Sequence, residues 1–204
     1  VNPGEFVFLT GPSGSGKTSF LRLIMRDLLP DSGSLVVNNH DLSKLKTKDL
    51  PLLRREIGTV FQDFKLLSDR NIWENTSLPL EVRHLPPAHT DKAVKIALEL
   101  VGLTNRSTLF PAQLSGGEVQ RTAIARAIVS GPKVILAAAP TADLDPATAQ
   151  SVIKVLEKIN NSDKTTVIMA THNATIVNHF KKSVVALISG KIEKDEKEGR
   201  YEAD

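Results

Sequence analysis

Eight residues constrain this chain more than any others: Gly11-Pro12-Ser13-Gly14-Ser15-Gly16-Lys17-Thr18, an instance of G-x-x-x-x-G-K-[ST]. The apolar run Phe6-Val7-Phe8-Leu9 enters it as a buried strand, and Phe20, Leu21, Leu23, Ile24 and Leu28 leave it at helical spacing. Glycines let such a loop fold its backbone N–H groups into a concave nest. The helix that follows adds its unpaired N-terminal donors and about half a positive charge, so the arrangement suits an anion. Lys17 would bring a full positive charge to β- and γ-phosphate oxygens, and Thr18 would place its hydroxyl on Mg²⁺. These matches in the right context separate the motif from a glycine-rich turn that only joins strand to helix. Nucleotide binding is the starting expectation.

At 204 residues the chain suits one α/β domain with a smaller lobe, long enough to bury a sizeable core. Its net charge of +3 is modest and its Lys and Arg are spread along the chain, which argues against nucleic acid as a partner. There is no cysteine, so disulfides and thiolate metal sites are excluded, in keeping with a reducing compartment. No apolar stretch approaches the roughly 20 residues needed to span a bilayer. The first ten residues read as a strand of the fold and not as a signal peptide, so membrane association is expected to come through a partner. Val1-Asn2-Pro3-Gly4 leads straight into that strand, which raises the expectation of an earlier portion outside this sequence.

Further along, Pro30-Asp31-Ser32-Gly33 reads as a turn and 34–38 as a short strand, with a basic, partly helical stretch over 44–55. Ile57-Gly58-Thr59-Val60-Phe61 is the next strand and ends at Gln62. From Leu66 to about Ser130 the pattern is helical: Ala93, Val94, Ile96, Ala97, Leu98 and Leu100 mark one helix over 91–101, and Ile124, Ala127 and Ile128 mark another over 118–129. Pro86-Pro87-Ala88-His89 is read as the turn between helical segments. After Gly131-Pro132 the α/β rhythm resumes, with strands over 134–139 and 165–170 around a helix over 146–159 that has Pro at its first turn. A hairpin over 184–192 closes the pattern, and the charged end, 193–204, is expected to fray.

A second glycine-rich helix start, Leu114-Ser115-Gly116-Gly117-Glu118, lies about a hundred residues after the first. Ser115 would cap that helix, and the bare amides of Gly116 and Gly117 could approach a phosphate closely.

With this second motif the chain resembles the ABC-type ATPases. Leu114 to Glu118 matches that family's signature, Gln62 stands in the Q-loop position, Leu144-Asp145 in the D-loop and His172 in the place of the switch histidine. The resemblance covers nearly the whole chain. It implies a RecA-like P-loop core with an inserted helical lobe and part of an antiparallel β subdomain. Three divisions follow: 1–65 as the P-loop half of the core, 66–130 as the helical lobe with the signature, and 131–204 as the second half with a charged tail. It also implies a head-to-tail homodimer on ATP binding, in which Ser115, Gly116 and Gly117 of one copy cover the γ-phosphate held by Gly11 to Thr18 of the other. Asp145 would then work across the dimer, although an N-cap before Pro146 explains it almost as well.

Within the family, 52–67 together with Trp73-Glu74-Asn75 and Leu78-Pro79-Leu80-Glu81-Val82 is similar to the cell-division branch, the FtsE-like ATPases. That branch couples ATP to an FtsX-like integral membrane protein, which implies a peripheral location on the cytoplasmic face of the plasma membrane. Lipoprotein-releasing and macrolide-export ATPases share much of the pattern and stay open as alternatives. Chromosome-organising ATPases do not fit, because they carry long coiled-coil insertions between the two motifs. Phe64, Leu66 and Leu67 are either part of a groove for the membrane partner or simply core.

Two departures from the family pattern bear on activity. Leu136-Ala137-Ala138-Ala139-Pro140-Thr141 places Ala138 where the family has its Mg²⁺-associated Asp and Ala139 where it has the catalytic Glu. Loss of that general-base carboxylate is expected to slow hydrolysis by about 10²–10⁴-fold. His172 and Gln62 could still position water or γ-phosphate, and Gln62 with Thr18 could still serve Mg²⁺, so ATP is expected to bind without efficient turnover. Asp143 and Asp145 follow the end of the strand and are not expected to substitute. A non-hydrolysing ATP-binding docking module is the rival reading. The second departure is the lack of a preceding strand with an aromatic residue to stack on adenine, worth about 1–3 kcal/mol by analogy with nucleic-acid sites. Without that strand, the first edge of the sheet is expected to be unprotected. His40, His84, His89 and His179 have no ligand spacing and are assigned to the surface.

Overall fold

In a computed structural model that describes residues 1–202, the continuous apolar run at the start of the chain becomes β1 (Phe6–Thr10), buried along its whole length. A strand with no polar alternation must be covered on both faces, and β1 lies in the interior of the main sheet. The remaining strands are β2 (Val36–Val37), β3 (His40–Asp41), β4 (Ile57–Val60), β5 (Val134–Ala138), β6 (Thr166–Ala170), β7 (Ser183–Ile188) and β8 (Lys191–Glu196). The main sheet has the order β4-β5-β6-β1-β7-β8, parallel except for the antiparallel β7–β8 hairpin. The expected unprotected first edge is therefore corrected: β1 pairs with β6 on one side and β7 on the other, and the edges are β4 and β8. β8 alternates charges along its exposed length, which discourages further pairing.

Helices cover both faces: α1 (Lys17–Ile24), α2 (Leu50–Arg55), α3 (Ile72–Glu81), α4 (Pro87–Val101), α5 (Gly116–Ile128), α6 (Pro146–Asp163) and α7 (Ala174–Phe180). The period-two alternation of strand side chains divides the interior. Phe6, Phe8, Ile135, Ala137, Val167 and Met169 face the core shared with the later helices, while Leu9, Leu136, Ile168 and Ala170 face Leu21, Ile24 and Leu53 of α1 and α2. The helices α3, α4 and α5 fall between β4 and β5 in the chain and pack on one another as the expected lobe. The two-stranded antiparallel β2–β3 sheet is the partial β subdomain.

Several boundaries differ from the sequence reading. The stretch 34–38 keeps only Val36–Val37 as strand, because Asn38 and Asn39 turn left-handed at φ 47° and 66° to make a tight hairpin. Helix α1 stops at Ile24, so Leu28 lies beyond it. The turn read at 86–89 is instead the start of α4, with Pro87 at a position where a missing N–H costs nothing. Helix α6 runs four residues past Ile159 to Asp163, ending where Lys164 turns left-handed at φ 54°. The tail does not fray over 193–202: β8 reaches Glu196, Gly199 is buried, and the Asn178 side chain grips the Tyr201 backbone on both sides at 2.9 and 3.0 Å. The fraying expected of Ala203 and Asp204 lies outside the described residues.

Helix α5 rides directly on the edge strand β4. A Cβ built on Gly58 would stand 2.3 Å from the Ala127 carbonyl oxygen and 3.1 Å from Pro132 Cγ. Backbone cannot yield there as a side chain could, so Gly58→Ala is expected to cost at least the 1–3 kcal/mol typical of overpacking. Urea denaturation of the two forms measures it, and an unchanged midpoint would contradict this packing.

Candidate functional site

The loop between β1 and α1 is shaped by what its glycines lack. Gly11, Gly14 and Gly16 have φ of 134°, 77° and 105°, a region that side-chain-bearing residues rarely adopt. At Gly11 there is also no space, since a Cβ would lie 2.1 Å from the Leu187 carbonyl oxygen of β7. Ser15 is buried, and its carbonyl accepts the Gly190 amide at 3.0 Å, so the β7–β8 turn fastens the loop from the other side. Gly16 is the N-cap of α1 and offers no side chain to satisfy the first helical amides. Those amides have no intrahelical acceptor and are left to an anion.

Lys17 folds back over the loop, its ammonium donating to the carbonyls of Gly11 at 2.7 Å and Pro12 at 2.8 Å and to Ser15 Oγ at 3.3 Å. All three acceptors are neutral, and burial lowers its pKa from the usual lysine range. An arriving anion would meet a partly desolvated cation that has no carboxylate to surrender.

A cleft of about 790 Å³ opens above the loop. It brings together Gly11 to Gly14 and Gly16 to Thr18 with Gln62 just after β4, His172 just after β6, and Ala138 and Ala139 at the end of β5. Ala138 is the last residue of β5, paired with Ala170. Ala139, read as strand from the sequence, has left it. Its φ is 47° and its amide donates to the Ala170 carbonyl at 3.0 Å, an unusual conformation for a non-glycine residue that the neighbouring strand holds in place. This strand end therefore offers the cleft two methyl groups and no carboxylate. Among the described residues no group of three or more His, Cys, Asp or Glu could hold a metal.

Ser115, Gly116, Gly117 and Asp145 do not line this cleft. Ser115 and Glu118 form a reciprocal capping box at the start of α5: the Ser115 amide and hydroxyl donate to Glu118 Oε2 at 2.9 and 2.8 Å, and Ser115 Oγ accepts the Glu118 amide at 3.4 Å. Gly117 has a reason internal to the fold, because its Cβ would lie 2.5 Å from Thr148 Cγ2 of α6. Asp145 is the N-cap of α6, accepting the amides of Ala147 and Thr148 at 3.1 Å each. Hydrogen bonding from the Thr148 side chain, then from these amides, holds its carboxyl below the usual range.

Residues that the sequence reading did not assign to the site come from the tail: Glu193, Lys194, Arg200 and Tyr201 rim the cleft. The available signal was an aromatic residue and a glycine inside a charged run. Gly199 fits under Val184 with a would-be Cβ 2.9 Å from Val184 Cβ, and Tyr201 packs against the main core. One of the histidines assigned to the surface has a partner, His40 Nε2 lying 3.5 Å from Glu56.

Residues 1–142 match the family described as ABC transporter. The cell division ATP-binding protein FtsE of Bacillus subtilis is 49% identical over 201 residues, 98% of this chain and 88% of that protein. FtsE of Streptococcus pneumoniae is 46% identical over the full chain and 88% of its own length. Among solved structures, the dimeric post-hydrolysis ATP-binding cassette MJ0796 bound to ADP and phosphate superposes with a TM-score of 0.86 at 34% identity, covering 98% of this chain and 88% of that one.

The Ser115 amide, then its hydroxyl, lower the Glu118 pKa. A carboxyl whose folded pKa lies below its unfolded value of about 4.3 stabilises above that pH and loses its contribution as pH falls through the folded value. Glu118→Gln is expected to flatten the acid limb of a plot of unfolding free energy against pH below about pH 5, and Ser115→Ala to cost about 1 kcal/mol at neutral pH. An acid limb identical in the parent and the Gln form would remove Glu118 from this role.

Proposed function

The chain belongs to the ABC transporter family, and from that premise we propose that it is the ATP-binding subunit of an FtsE–FtsX-like complex in cell division, able to bind ATP but deficient in its hydrolysis. One observation carries the reading: the cleft joins a complete phosphate loop, Gln62 and His172 to a β5 end that bears only the methyls of Ala138 and Ala139.

In this reading the triphosphate lies along the amides of Gly11 to Thr18, with Lys17 exchanging its loop carbonyls for phosphate oxygens. Gln62 and His172 hold the attacking water and the γ-phosphate from the far wall of the cleft. Thr18 and Gln62 are the chain's own oxygen donors there for Mg²⁺, so the residues fit the ion only as part of a nucleotide complex whose phosphates complete its shell. Once bound it would neutralise charge on the β- and γ-phosphates. With no carboxylate at 138 or 139, a water held by Gln62 or His172 lacks the negatively charged base that would take its proton, and turnover falls by about 10²–10⁴-fold.

The signature residues Ser115, Gly116 and Gly117 lie outside this chain's own cleft, which supports their use on a second copy in a head-to-tail homodimer, with Asp145 near that boundary. Among the described residues no helix is long and apolar enough to cross a membrane, in keeping with attachment to the cytoplasmic face of the plasma membrane through an FtsX-like partner. We assign 1–65 and 131–204 to the nucleotide-binding core and 66–130 to the lobe that meets the partner copy. The same two methyls favour one rival, a docking module for which hydrolysis plays no part.

Steady-state Mg-ATP turnover of this chain beside Ala138→Asp/Ala139→Glu, with fluorescent ATP-analogue binding measured in both, separates the readings. Binding by both with turnover only in the double variant is the expected result, and Lys17→Ala should weaken binding roughly tenfold or more. Normal turnover by the unaltered chain would refute the assignment of the two alanines. A double variant that binds the analogue but stays inactive favours the docking module.

A further inference from the structure

The loop that carries Gln62 is bent in a way its own residues do not favour. Phe64 and Lys65, consecutive and neither glycine nor asparagine, both lie in the left-handed region at φ 58° and 50°. Residues other than glycine, asparagine and aspartate enter that region singly and at a cost, and two in succession need a restraint from their surroundings. The bend is reinforced locally by the Lys65 amide donating to the Asp63 carbonyl at 2.6 Å. Its main restraint comes from another element. Arg126, in the last turn of α5, donates from Nη2 to the Phe64 carbonyl at 2.6 Å and from Nη1 to the Lys65 carbonyl at 2.5 Å.

The guanidinium suits this task for a geometric reason. Its two terminal nitrogens form a planar fork, so one rigid group can hold two successive carbonyls, whereas a lysine ammonium acts as a single point charge. Arg126 is also an unusual cation in this fold. It is half-buried, and desolvation pushes its pKa below the usual arginine range. Among the described residues, the ion pairs involve other cations and leave Arg126 to these carbonyl dipoles. Left-handed turning directs both carbonyls the same way, and that is what allows one fork to reach both.

We propose that Arg126 is the positioning residue for Gln62: by pinning the carbonyls of Phe64 and Lys65 it sets where the Gln62 side chain enters the nucleotide cleft. The placement of Gln62 is then dictated by α5 and not by β4, the strand from which it emerges. This rests on the reading of Gln62 as a ligand to the Mg-nucleotide. Arg126 itself does not line the cleft.

The test compares the full chain with Arg126→Met, Arg126→Lys and Gln62→Ala in two measurements. The first is amide hydrogen exchange across 61–67. The second is the affinity of a fluorescent, non-hydrolysable ATP analogue in Mg²⁺ and in EDTA. Arg126→Met keeps the apolar stem and removes the fork. It is expected to speed exchange over 61–67 roughly tenfold while the sheet strands exchange as before. Its Mg²⁺-dependent gain in affinity should fall to that of Gln62→Ala, with affinity in EDTA within about twofold of the parent. Arg126→Lys should lie between parent and Met, and it decides the matter if the Met form does not fold. Unchanged exchange over 61–67 overturns the proposal. So does a loosened loop that keeps the Mg²⁺ gain when Gln62→Ala abolishes it, and that result leaves the nucleotide reading standing. If Gln62→Ala itself keeps the Mg²⁺ gain, the reading of Gln62 fails, and the role given to Arg126 fails with it.

Discussion

The approach of Gly11 to β7 is the contact on which the rest of the site depends. A methyl group there would sit 2.1 Å from the Leu187 carbonyl oxygen, so the loop can lie against the sheet only where the residue has no side chain. That contact requires β1 and β7 to be neighbours, and they are, in parallel register from Val7 with Ser183 to Thr10 with Ala186. Once β1 is held between β6 and β7, the strands β5 and β6 end beside the loop and deliver Ala138 and His172 to the same cleft. The β7–β8 turn then closes on the loop through the Gly190 amide. Sheet order and loop geometry are thus a single constraint, because a cleft at the carboxyl ends of parallel strands exists only if those strands stand side by side.

Charge around the phosphate loop is arranged in one direction, and the carboxylates that line the cleft, Glu193 and Glu202, come from the tail and not from β5. The lysine is desolvated and bonded to neutral oxygens, the helix N-terminus is uncapped by any side chain, and β5 contributes methyls. Nothing negative on β5 opposes a phosphate, and nothing negative there can accept a proton from water. In the reading proposed above, acceptance of the anion and loss of the base follow from one feature, the methyls at the end of β5.

Much of the candidate site is legible in the sequence. The phosphate loop carries its own chemistry in a contiguous string, and the strands that end at Ala138 and just before Gln62 and His172 announce themselves as short apolar runs. What was not legible depends on long-range packing. A charged stretch such as Glu193 to Glu196 looks solvated in sequence, and it is, but it is also an edge strand because β7 offers it a ladder. Tyr201 is tied down by Asn178, more than twenty residues earlier, a pairing no local pattern encodes. Proline at 87 starts a helix where the sequence reads as a turn, since the same residue suits either place. The left-handed Phe64 and Lys65 lack the glycine that would have marked the bend, because Arg126 supplies from α5 the restraint a glycine would have made unnecessary.

The two glycines at the start of α5 differ in a way that bears on what lies outside the chain. A Cβ on Gly117 would collide with Thr148 at 2.5 Å, so glycine there is required by this chain's own packing of α5 on α6. A Cβ on Gly116 would meet only Leu144 Cδ2, at an ordinary 3.5 Å. Glycine at 116 therefore relieves no internal clash; it leaves an exposed helix-terminal residue without a side chain, beside the Ser115 hydroxyl that satisfies the Glu118 amide. An uncovered, helix-terminal amide beside a serine is the same chemistry that the phosphate loop presents inside the cleft. One chain carries both surfaces, and they do not meet within it. In the head-to-tail pair we propose, a second copy would bring each into contact with the other, and glycine at 116 would leave room for what approaches it from outside.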